Sequence, residues 1–166
     1  DYPFSKYKSE LMDLYLIKNC RFYIGTDSGI MDTAKMFSKD TLITNMVQWL
    51  FAYPYRPRDR GIHKHVYSKL KGRFLTYSEI LNSDWRMQAL FGNIDDNYDL
   101  IENTPDEILD VSKEMYHRLN NTWETTEEDE ELQKEFWRQF PKSELHGEFL
   151  GKIGSNWLSQ NRILLD

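Results

Sequence analysis

Residues 21–37, RFYIGTDSGIMDTAKMF, run a bulky apolar triplet straight into a turn of small and oxygen-bearing residues, and from there into a helical repeat. Phe22, Tyr23 and Ile24 form a short strand-like run bounded by Gly25, whereas Ile30, Thr33, Ala34 and Phe37 recur at the i, i+3, i+4, i+7 spacing of a helix face. The segment therefore predicts strand, turn and helix. Its neighbours extend the pattern: KSELMDLYLIKN at 8–19 puts Leu11, Leu14 and Tyr15 on one helical face, and TLITN at 41–45 predicts a second buried strand. Helix, strand, helix, strand is the order of an α/β fold built on a parallel sheet. Two strands are few for such a sheet, and no third is legible after Asn45, so the missing strands are expected upstream of Asp1.

The turn itself suggests chemistry. Gly25 and Gly29 let a backbone or ligand approach closely, and Thr26, Asp27 and Ser28 offer oxygens where a helix leaves its first N–H groups unpaired. Such a turn can hold an anion or a sugar hydroxyl, with a pyrophosphate on the N–H groups that follow Ser28. The plainer reading is that Asp27 or Ser28 caps the helix and the glycines only turn the chain.

A chain of 166 residues with 40% hydrophobic content can bury the core of one domain. A net charge of −6 argues against nucleic-acid binding over the whole surface. A single cysteine, Cys20, rules out an internal disulfide framework and reads as a small inert residue before the strand. No signal peptide opens the chain and no apolar run approaches the ~18 residues of a membrane span, which makes a cytoplasmic setting the default expectation.

From 46 to 74 the sequence is basic and aromatic together, with Arg56, Arg58, Arg60, Lys64, Lys69, Lys71 and Arg73, and reads as a loop able to close over a nucleotide or as a solvated surface. The remainder reads as helical. Thr76 with Glu79 and Thr104 with Glu107 fit the S/T-x-x-E capping box, and Thr125 stands three residues before Glu128. The second of these helices would bury Ile108, Val111, Met115 and Leu119, and the third Leu132, Phe136 and Phe140 behind an acidic first turn that suits the helix dipole. His63 and His65 alternate around a lysine without a Cys or paired carboxylate to complete a metal set, and His117 and His146 stand apart. Nucleophile-elbow, Walker and G-x-G-x-x-G patterns are absent, so no catalytic residue, metal or nicotinamide cofactor is assigned.

The block CRFYIGTDSGIMDTAKMFSKDTLITN resembles the nucleotide-sugar loop in the C-terminal domain of GT-B glycosyltransferases. Heptosyltransferase-like enzymes of bacterial surface polysaccharide synthesis share G-T-D-S-G but continue with proline and histidine where this chain has Ile30 and Asp32. A nearer likeness is to a family of bacterial glycosyltransferases known mainly from sequence, through Thr44-Asn45, LTYSEIL at 75–81 and NTPDEILDVSKEM at 103–115. The resemblance implies a partial Rossmann-like, donor-binding portion over 1–74 and a helical portion over 75–166 packed on it. It implies sugar transfer from a nucleotide donor without a metal, with Gly25, Thr26, Asp27, Ser28, Gly29, Asn45 and Glu79 at the donor. The acceptor would be a glycan or lipid-linked glycan, and the setting the cytoplasm or the inner membrane face. An N-terminal domain of the same protein would carry the base. The alternative is a noncatalytic α/β interaction module in which the turn is only a cap.

Overall fold

The computed structural model describes residues 2–47, 54–91, 94–140 and 150–166. Part of the aromatic stretch after Met46, including Trp49, Phe51 and Tyr53, lies outside the described residues, as does His146. In chain order the elements are α1 (Glu10–Asn19), β1 (Tyr23–Gly25), α2 (Gly29–Met36), β2 (Thr41–Met46), β3 (Arg60–His63), β4 (His65–Ser68), β5 (Arg73–Phe74), α3 (Tyr77–Leu81), β6 (Tyr98–Ile101), α4 (Pro105–Leu119), α5 (Glu127–Gln139), β7 (Lys152–Ile153) and α6 (Ser155–Gln160). They form an α/β structure with a four-stranded parallel sheet, order β1-β2-β3-β7, and a three-stranded antiparallel sheet, order β5-β4-β6.

The strands predicted at 22–24 and 41–45 form as β1 and β2, which pair in parallel with Gly25 opposite Ile43, and α2 connects them. The expectation that further strands lie only upstream is corrected, because β3 and β7 extend the sheet from β2. Neither looks like a strand in sequence. Arg-Gly-Ile-His has one β-branched residue, and its four residues are buried because neighbours cover them, with Glu114 facing Arg60. Gly61 is required there: a Cβ would meet Met46 Sδ at 2.7 Å and Pro54 Cγ at 2.9 Å. The 46–74 stretch is thus partly sheet rather than loop, and β6 and β7 interrupt the helical second half.

The two amphipathic stripes of the second half hold. Val111, Met115, Leu132 and Phe136 are buried, while Ile108 and Phe140 pack against the core from its margin. Capping boxes start α3 at Thr76 and α4 at Thr104 as the sequence predicts. The third uses Thr126 with Asp129, one residue beyond the expected Thr125 and Glu128, since Thr-Thr-Glu-Glu-Asp satisfies the spacing in either register. The first two helices depart more. In α2 the buried residues are Met31 and Ala34 and Ile30 is 56% exposed, so Ala34 holds its expected place while Met31 rather than Ile30 opens the buried stripe. None of α1 is buried, and the element it packs against most is α2.

Candidate functional site

All four strands of the first sheet run the same way, so Gly25, Met46, His63 and Ile153 end at one edge. In open α/β sheets ligands bind outside this carboxyl edge, at the point where strand order reverses. Here the order rises steadily from β1 to β7, and β1 and β7 are the outer strands among the described residues.

The Gly25–Gly29 turn lies at the carboxyl end of β1. Tyr23 folds its ring over Gly25, where a Cβ would come 2.3 Å from the phenol oxygen, and the chain then exposes Thr26, Ser28 and Gly29. Ser28 is the N-cap of α2 in extended backbone, yet its side chain makes no capping bond. Its carbonyl accepts from Met31 N at 2.9 Å, and the N–H groups of Gly29 and Ile30 donate no hydrogen bond among the described residues. No atom stands within 4 Å of a Cβ built on Gly29. The turn therefore presents two free backbone donors and an unobstructed approach, the arrangement that binds anions at helix starts. Asp27 works against that charge. It is half-buried with Oδ2 enclosed and unpartnered, and burial raises its pKa from the ordinary 3.8, with Lys35 opposing and Asp32 reinforcing the rise.

Asn45 joins the same edge from β2. It adopts a left-handed backbone (φ 55°) and exchanges two bonds with Asn103: Asn45 N donates to Asn103 Oδ1 and Asn103 N to Asn45 Oδ1, each at 2.6 Å. Asn103 Nδ2 also donates to the His63 carbonyl at 2.7 Å. Asn45 thus fixes the end of β2 to the loop that starts α4, and its Oδ1 is committed to that lock. Glu79 is elsewhere, beside the antiparallel sheet. Its carboxylate closes the α3 capping box and binds Arg73 and Lys71, and the Arg73 bond leads the effects that hold its pKa down at about 2. No contact joins it to the turn among the described residues.

The expected basic cover over the turn is corrected as well. Arg56 binds Asp59, Arg58 faces Asp40 and Arg60 faces Glu114, all at the amino edge of the sheet, because residues 56–60 lead into β3 from that end. Lys64, just past the carboxyl end of β3, is paired with Glu102. His63 and His65 also diverge. His63 Nδ1 lies 3.1 Å from Tyr77 Oη in a fully buried site where desolvation lowers its pKa to about 3. His65 Nε2 meets Glu107 Oε1 at 2.9 Å, which also accepts from Trp157 Nε1.

Sequence reasoning missed Glu114, the buried carboxylate between Arg60 and Arg118. Its signal was present: a charged residue at i+3 from Val111 and next to Met115 sits inside the apolar stripe of α4. Comparison with family models, with curated proteins and with solved structures gives no match to this chain.

Proposed function

We propose that this chain is the donor-binding portion of a metal-independent bacterial glycosyltransferase of the GT-B type. The observation that carries the reading is the start of α2, where Gly29 and Ile30 hold free N–H groups at the carboxyl edge of a parallel sheet with open space in front of them. A nucleoside diphosphate leaving group would take those donors, and the Ser28 and Thr26 hydroxyls would add bonds to its oxygens. Asp27, whose pKa is raised by burial, stands beside these donors as a carboxylate that a bound diphosphate has to tolerate. In this reading a strand from the rest of the Rossmann-like half pairs with the open side of β1 and creates the switch point beside the turn. The transfer would run in the cytoplasm or at the inner membrane face; no helix among the described residues is long and apolar enough to cross a membrane.

A noncatalytic interaction module is the second reading. It is favoured by the apolar surface of α1, where Leu11 is 78% and Tyr15 59% exposed. A thermal-shift screen of nucleoside diphosphates and nucleotide sugars separates the two, since a ligand that binds only the folded state raises Tm by mass action. The transferase reading expects a concentration-dependent rise with at least one nucleotide, and the module reading expects none.

A further inference from the structure

At the amino edge of the sheet, opposite the turn, a cavity of about 280 Å³ is lined by Pro57, Arg58, Arg60, Arg118, Asn121 and Trp123, among others. Its charges are unevenly shared. Arg56 is held by Asp59, Arg58 by Asp40, and Arg118 by Glu114 at 2.7 Å with Glu130 further off, which leaves Arg60 a share of Glu114, its Nε 3.4 Å from Oε1. Arg60 is nevertheless 5% exposed. Its Nη1 donates to the carbonyls of Pro57 and Asp59, its Nε is buried without a hydrogen bond, and its Nη2 makes none among the described residues. Trp123 adds a second buried donor without an acceptor, its indole N–H, while its ring lies under the Arg118 guanidinium at 4.9 Å. Glu114, Ser155 and Thr125 fix Arg118 in place.

A buried guanidinium that shares its carboxylate with a second arginine, beside donors that lack acceptors, is a costly arrangement unless an anion completes it. Arginine's planar fork suits a tetrahedral oxyanion with several acceptor oxygens, and the cavity volume lies at the small end for ligand sites. We propose that this cavity is a binding site for a phosphate group, free or as a monoester of a small molecule. Arg60 and the Trp123 N–H contact its oxygens from within and Arg58 closes it from the rim, where 63% of its side chain is exposed. The site is separate from the α2 turn and does not depend on the transferase reading.

The test is calorimetric titration of the protein at constant ionic strength with inorganic phosphate, methyl phosphate and acetate. The panel comprises the wild type, Arg58→Ala, Trp123→Phe and Gly29→Val. Trp123→Phe keeps an aromatic ring beneath Arg118 while it removes the N–H together with part of the indole, and Arg58 is exposed enough for its variant to fold. The expected result is one phosphate per chain in Gly29→Val, at an affinity the wild type shares for that site, with Arg58→Ala and Trp123→Phe each weaker there by about tenfold. Methyl phosphate binding at least as tightly as phosphate assigns the site to a monoester, and weaker binding assigns it to the free ion. Three results would overturn the proposal: no phosphate binding, acetate binding more tightly than either phosphate, or phosphate binding lost in Gly29→Val while Arg58→Ala and Trp123→Phe retain it.

Discussion

Asp27 is the residue on which the electrostatics of the turn depend. Its folded-state pKa is raised by burial, so the folded protein holds this proton to higher pH than the unfolded chain does. The ionised form is therefore disfavoured by folding, and the cost grows as pH rises from the ordinary 3.8 through the folded value. Asp27→Asn should raise Tm at neutral pH, and the gain should vanish below about pH 4, where both states carry a protonated aspartate. Melting curves from pH 3 to 8 measure it; a variant less stable than wild type at pH 7 would mean that the ionised carboxylate has a favourable partner. The sequence showed Asp27 only as an oxygen donor in a turn. Its enclosure depends on how the turn folds back on α2, and no local pattern encodes that.

At the scale of elements, the helix starts differ in a measurable way. Thr104 accepts from Glu107 N while Glu107 Oε2 accepts from Thr104 N at 2.7 Å, a closed capping box, whereas Ser28 is an N-cap with no side-chain bond to lose. Thr104→Ala should cost about 1 kcal/mol of stability, and Ser28→Ala less than about 0.5 kcal/mol, both read by urea unfolding. A loss as large at Ser28 as at Thr104 would restore the plain cap as its role. Capping boxes were legible because their chemistry is local, and a spacing of three residues suffices to find them. β3 was not, because an Arg-Gly-Ile-His strand is stabilised by what covers it: Met46 and Pro54 against Gly61, and Glu114 beside Arg60. The α2 stripe was legible at Ala34 but not at its start, where Met31 rather than Ile30 is buried.

Over the whole molecule, Glu114 ties the parallel sheet to the helices that follow it. From α4 it faces Arg60 of β3, accepts from Arg118, and accepts from the Ser155 N–H at the start of α6 at 2.7 Å. Glu114→Ala leaves Arg60 and Arg118 buried without a carboxylate and should cost about 3–5 kcal/mol in chemical unfolding. A loss under about 1 kcal/mol would show that water or another group replaces it. The parallel sheet was foreseeable from element order, but its extent was not, because β7 lies more than a hundred residues beyond β2 and has two residues. The candidate site was half legible. Gly25–Gly29 and Asn45 do share one edge, while Glu79 and Arg56, Arg58 and Arg60 are placed elsewhere by strand direction, which single-residue patterns do not carry. In the proposed function the free N–H groups at the start of α2 receive the diphosphate of a nucleotide donor, and calorimetric titration of wild type and Gly29→Val with nucleoside diphosphates tests this. The wild type should bind, and a Gly29→Val variant with an unchanged melting curve should not, since the added side chain enters the open approach and its Cβ meets no atom of the fold within 4 Å. A folded wild type that binds no nucleoside diphosphate at millimolar concentration, or a Gly29→Val variant that binds as well as wild type, would contradict it.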